Sequence, residues 1–153
     1  MPDYRVIIAG SRSFNAYTLL REHCLSVLQE KMKTHRVIIV SGHARGADSL
    51  GERFAKEFRL PFELHPAKWR LVGKAAGMVR NAEMAKCSDA LIAFWDGESR
   101  GTRHMINFAR KRGLEVSVIN TTLKNRIDNN SQTTERNTIV PPKEELSIKC
   151  CHR

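Results

Sequence analysis

Along the first 120 residues, short apolar runs alternate with stretches in which apolar side chains recur every three or four positions. The clearest unit spans residues 37–58. Val37, Ile38, Ile39 and Val40 are four β-branched residues in a row, the pattern of a strand buried on both faces. A polar turn follows over 41–46. Then Ala47, Leu50, Gly51, Phe54, Ala55 and Phe58 recur at helical spacing, which places a helix start near Gly46. The same grammar predicts a strand over 5–9, a turn over 10–14, and a helix over 17–33 with Leu20, Cys24, Val27 and Leu28 on one face. A shorter third strand is expected at 60–64, with Pro61 near its start, then a loop over 65–73 and a helix over 74–86. Strand four is expected at 89–95 and a turn at 96–101. A helix at 102–112 turns Met105, Ile106 and Ala109 inward, and strand five covers 115–119. Gly113 suits the position just past a helix C-terminus.

Five strands alternating with four helices predict an α/β fold of three layers, with a five-stranded, mostly parallel sheet wound right-handedly. From residue 121 the pattern changes. Asn, Thr, Ser and Gln dominate 121–138, so residues 1–120 are expected to fold and residues 121–153 to form a polar, disordered tail.

Charge narrows the partners. The chain carries 26 Lys+Arg against 16 Asp+Glu, a formal +10, and 20 of those cations against 12 of the acids fall before residue 121. Such a balance favours anionic partners. No apolar run approaches the ~20 residues of a membrane span, so no membrane partner is expected. Asp3 and Arg5 lead straight into a strand-like run, so no signal peptide is expected and the placement follows as cytoplasmic. The four cysteines form no C-x-x-C pair. Cys24 and Cys87 read as reduced thiols on apolar helical faces, and Cys150-Cys151-His152 lacks a second ligand pair, so no metal is expected.

Parallel open sheets bind ligands beyond the carboxyl ends of their strands, where strand order reverses. Three glycine turns, after strands one, two and four, fall at that edge, and each carries an arginine: Arg12, Arg45 and Arg100. Free N–H groups at helix starts, together with guanidinium forks, make an anion site. In the first turn the expected ligand-binding residues are Gly10, Ser11 and Arg12. In the second they are Ser41, Gly42, Arg45, Gly46 and Asp48. Asp48 has two readings: it stabilises the first helical turn, or it accepts a sugar hydroxyl or orients Arg45. His43 is expected to be exposed and idle. The third turn adds Asp96, Gly97, Ser99, Arg100, Gly101 and Thr102, with Thr102 also suited to an N-cap. It is not a Walker loop, because the lysine and the spacing are missing. From 69–81 come Trp69, read as a core cap or a stacking face, with Lys74, Arg80 and Asn81.

Four of these stretches carry a resemblance. Gly10-Ser11-Arg12-Ser13-Phe14, Ser41-Gly42-His43-Ala44-Arg45-Gly46-Ala47-Asp48, Gly73-Lys74-Ala75-Ala76-Gly77-Met78-Val79-Arg80-Asn81 and Phe94-Trp95-Asp96-Gly97-Glu98-Ser99-Arg100-Gly101-Thr102 resemble, in order, the YspA/cpYpsA-related branch of the SLOG superfamily. The resemblance implies a Rossmann-like domain that binds nucleotides or nucleotide-derived signals, often bacterial or phage-borne. It also points to two relatives. In the LOG phosphoribohydrolases, which cut the N-glycosidic bond of nucleoside 5′-monophosphates, an arginine of an R-K-x-x-M helix motif and a glutamate after a G-G-x-G-T loop act. Arg80-Asn81-Ala82-Glu83-Met84 is similar to the first motif, which makes Arg80 the candidate catalytic residue. Met105 stands in the glutamate's place, with His104 beside it, and a thioether is no base. The second relative is the DNA-processing protein DprA, a single-strand DNA binder, whose S-G-x-A-x-G-I-D turn is similar to residues 41–48.

The leading expectation is therefore a module that holds a nucleotide or nucleotide-derived molecule by its phosphates, with no resident cofactor. The alternatives are a LOG-type hydrolase and a binder of single-stranded nucleic acid. Self-association into a homo-oligomer stays open.

Overall fold

The computed structural model describes residues 1–122, and the expected tail beyond them lies outside the described residues. The chain begins with β1 (Asp3–Gly10), α1 (Tyr17–Thr34), β2 (Arg36–Ser41), α2 (Ala47–Glu57) and β3 (Phe62–Leu64). A single helical turn, α3 (Trp69–Val72), and a 3₁₀ turn (Gly73–Ala75) lead into α4 (Ala76–Cys87). β4 (Ala90–Trp95), α5 (Arg100–Lys111) and β5 (Glu115–Asn120) complete the order.

All neighbouring strands pair in parallel, in the order β3-β2-β1-β4-β5. The chain builds outward from β1 to β3, then returns across the sheet to lay β4 on the other side of β1. The reversal therefore sits between β1 and β4, where Gly10 registers with Phe94. β1 is covered on both faces, which explains its unbroken apolar run. Val6 and Ile8 join one core with Leu20, Leu28, Phe54 and Phe94. Ile7 and Ala9 join the other with Met84, Leu91, Met105 and Ile106. Thus α1 and α2 cover one face, and α4 and α5 the other. Among the described residues no helix is long and apolar enough to cross a membrane.

Three local expectations shift. The loop expected over 65–73 contains a helical turn, α3, that ends at Gly73 with a left-handed φ of 78°, and the helix expected over 74–86 opens as a 3₁₀ turn before α4 begins at Ala76. Strand three contracts to Phe62–Leu64, since residue 60 is still tied to the helix end through Leu60 N–H to Ala55 O at 2.8 Å. The last helix starts at Arg100 rather than Thr102. Asp96 Oδ1 accepts the N–H groups of Glu98 and Ser99, each at 2.8 Å, and Ser99 is the N-cap that accepts from Thr102 N.

The close approach at the reversal yields a prediction. A Cβ on Gly10 would lie 2.3 Å from Phe94 O and 2.8 Å from Ala47 Cβ, whereas one on Gly101, in the first turn of α5, meets nothing within 4 Å. Gly10→Ala should destabilise the fold by about 1–3 kcal/mol. Gly101→Ala should be neutral or stabilising by up to ~1 kcal/mol. Urea unfolding of the two variants checks the contrast.

Candidate functional site

At the β1/β4 reversal the chain leaves a cleft of about 530 Å³. Its lining comes from the turn after β1 (Gly10, Ser11, Arg12), the start of α2 (Asp48), the 69–84 segment (Trp69, Lys74, Arg80, Asn81) and the turn after β4 (Asp96, Ser99, Gly101, Thr102). Twelve of the sequence-predicted positions thus meet around one hollow at the carboxyl edge of the sheet. Met84 and Met105 add apolar wall.

The second turn behaves differently from the other two. Ser41, Gly42, Arg45 and Gly46 do not line the cleft, and neither do Gly97 and Arg100 of the third turn. Ser41 Oγ donates to Glu52 Oε2 at 2.7 Å and accepts from His43 N at 3.0 Å. His43 Nδ1 lies 3.0 Å from the same carboxylate oxygen, so His43, expected to be idle, is engaged in closing this turn. Gly46, at φ 80°, presses on the first turn, where a Cβ would sit 2.3 Å from Ser11 O. Gly42 makes room for side chains instead of a ligand: a Cβ there would lie 2.4 Å from Arg80 Nη1 and 2.7 Å from Asp48 Oδ2. The glycines at 42 and 46 are therefore used for packing between protein segments.

Arg80 and Asp48 are the pair that the sequence did not join. Arg80 Nη1 donates to Gly42 O at 2.6 Å and Nε to Asn81 Oδ1 at 3.1 Å. Asn81 is buried, and its Nδ2 reaches Gly101 O at 3.3 Å and His104 Nδ1 at 3.2 Å, tying α4 to α5. Burial lowers the pKa of Arg80, the charge of Asp48 opposes that, and nearby Arg12 adds to it. Asp48 is 6% exposed, and desolvation pushes its carboxyl up to about 6 against the pull of Arg80 and the Ala44 N–H. The cation whose charge acts on Asp48 is thus Arg80, and Arg45 is exposed on the turn.

Electrostatically the cleft gathers Arg12, Lys74 and Arg80 against Asp48 and Asp96. The Ser99 N–H, more than any other group, holds the Asp96 carboxyl below the usual range. Ser11 is 3% exposed, and its Oγ has no hydrogen bond of ordinary geometry among the described residues. The Asp96 carboxyl is nonetheless held down in part by that hydroxyl, so Ser11 and Asp96 face the same corner of the cleft without an ordinary hydrogen bond between them. Trp69 is half exposed at the rim with Met78, which removes it from the core. Burial also keeps the His104 imidazole below its ordinary pKa. Met105, in the place expected for a glutamate, is a fully buried thioether on the wall.

A family model described as the YspA, cpYpsA-related SLOG family matches residues 4–71. The Gene 61 protein of Mycobacterium phage D29 is 37% identical over 118 residues, 73% of this chain and 93% of that protein. The chain belongs to the YspA, cpYpsA-related SLOG family. Among solved structures, DNA processing protein A from Helicobacter pylori superposes with a TM-score of 0.51 at 18% identity, over 84% of this chain and 74% of that one. Its published description concerns single-stranded DNA binding by that protein. At this identity the likeness shows the fold alone, an α/β Rossmann-like one.

The buried carboxyl gives a prediction with a definite sign. The folded-state pKa of Asp48, about 6, lies above its ordinary 3.8, so its contribution to stability is full below about pH 4 and lost as pH rises through about 6. Asp48→Asn abolishes that loss. The stability of the variant relative to the parent should rise by on the order of 2–3 kcal/mol between pH 4 and pH 7. Urea unfolding across this range measures it, and parallel curves for the two proteins would contradict the assignment.

Proposed function

We propose that the cleft binds a nucleotide or nucleotide-derived molecule through its phosphate. The observation that carries this reading is the convergence of Arg12 and Arg80 on one hollow, close enough to repel each other, beside the unpaired Ser11 hydroxyl. An anion between the two guanidinium groups relieves that repulsion and accepts the spare donor. Backbone N–H groups at the starts of α2 and α5 add their partial positive charge. The exposed face of Trp69 offers a stacking surface for the base. Asp48 and Asp96 are the acceptors available to sugar hydroxyls.

A hydrolytic reading of LOG type meets Met105 at the wall, where a thioether cannot serve as a base, and would have to draw on Asp48 or Asp96, carboxylates that line the cleft. A second reading, binding of single-stranded nucleic acid, is favoured by Trp69 at the mouth of a cationic cleft and by the formal +10 of the chain. Salt separates the two. Oligonucleotide affinity falls steeply with ionic strength as counterions are released, whereas one buried phosphate responds weakly.

Thermal-shift and calorimetric titrations with AMP, ADP, NAD and ADP-ribose test the first reading, with oligo-dT as the competing probe. For the nucleotide that binds, Arg12→Ala should weaken affinity about 10–100-fold, the value of one charge-assisted contact. Arg80→Lys, which keeps the charge and loses the fork, should do the same. Arg100→Ala, outside the cleft, should stay within about twofold of the parent. Unchanged affinity in both the Arg12 and Arg80 variants overturns the site.

A further inference from the structure

Away from the cleft, three unlike metal-binding side chains meet at the β3 edge of the sheet. Residues along a strand alternate faces, so Phe62 packs toward the α1/α2 core and Glu63 points the opposite way. His65 N–H donates to Ser41 O at 2.8 Å, which prolongs the ladder one step and brings His65 onto the Glu63 face. That face is covered by α4, whose last residue is Cys87. The ligand atoms of Glu63, His65 and Cys87 all lie within 4.8 Å of one another.

We propose that Glu63, His65 and Cys87 form a binding site for a divalent cation of the zinc class. Two details favour an ion over a plain polar cluster. Arg5 Nε and Nη2 both engage Glu63 Oε2, at 3.1 and 2.9 Å, which leaves Oε1 facing His65 Nε2 at 3.9 Å. That separation is too long for a hydrogen bond. It is close to the spacing of two ligands on one tetrahedral zinc, about 3.3–3.6 Å from the usual bond lengths. Arg5 thus acts as the outer partner that fixes the carboxylate, and its own charge is offset by Asp3 at 3.7 Å. The set of one thiolate sulfur, one imidazole nitrogen and one carboxylate oxygen suits a borderline ion such as Zn²⁺ or Co²⁺ and disfavours Mg²⁺ or Ca²⁺. Binding forms a metal–thiolate bond, breaks the contact of the Cys87 thiol with Met84 O at 3.5 Å, and releases the thiol proton to water. Water takes the remaining coordination position.

The test uses the full chain carrying Cys150→Ser and Cys151→Ser, so that the terminal thiols contribute nothing, and titrates it with Co²⁺ alone. The expected result is one Co²⁺ per chain, with a thiolate-to-cobalt charge-transfer band and visible ligand-field bands of tetrahedral intensity. Zn²⁺ should displace the cobalt and bleach both. Adding Cys87→Ser should abolish the charge-transfer band with an unchanged circular dichroism spectrum. Glu63→Gln should weaken binding about tenfold or more. Absence of the band from the starting protein, or its survival in the Cys87→Ser variant, overturns the site. If Cys87→Ser does not fold, His65→Gln at its partly exposed position decides by the same readout: tight tetrahedral binding that survives this change refutes the proposal, and its loss supports it.

Discussion

The architecture depends on one backbone joint. Ser11 N–H donates to Phe94 O at 3.1 Å, and Ser11 O accepts from Phe14 N at 3.1 Å and Ala47 N at 3.3 Å. Through one residue, the ends of β1 and β4 and the start of α2 are drawn to a common point. Side chains would hold these segments apart, so Gly10 and Gly46 stand on either side of the contact. Because α2 is pinned there by its first N–H, its next residue, Asp48, is carried under the turn, where it meets Arg80 arriving from the opposite face. The placement of the charged groups is thus set by main-chain geometry, and their electrostatics follow from how little water that geometry admits.

Much of this was legible in the sequence where a single periodicity dominates. The runs at 5–9, 37–40 and 89–95 are unambiguous because central parallel strands have two apolar neighbours and no solvent face. The resemblance carried by the four turn motifs named the family correctly, and the edge of the sheet where they gather followed from strand parity. What the sequence could not disclose is which groups oppose each other across the fold. Arg80 and Gly42 are joined over a separation of 38 residues, and no local spacing signals it. In the chain Arg80 stands among alanines at 75, 76, 82 and 85, with nothing in their spacing to point to Gly42 or Asp48. Asp48 was weighed against Arg45, its near neighbour in the chain, while its actual counter-charge is far away.

The glycines mark a second limit. A glycine in a turn announces that something comes close, but not whether that something is a ligand or more protein. At 42 and 46 it is protein. Asp96 had a readable local role as well, since an acid preceding a serine-capped helix is suited to gather the N–H groups before it. The resulting turn moves the helix start and leaves Arg100 facing outward.

One feature of the cleft wall bears on chemistry rather than on place. The position that the likeness to the LOG hydrolases gives to an acid is filled here by Met105, a buried member of the second core together with Ile7 and Ile106. Sulfur flanked by hydrocarbon neither withdraws a proton nor steadies a developing cation. That wall therefore supplies shape and contact to whatever enters, and the ionisable groups of the hollow, Arg12, Asp48, Lys74, Arg80 and Asp96, come from the segments around it.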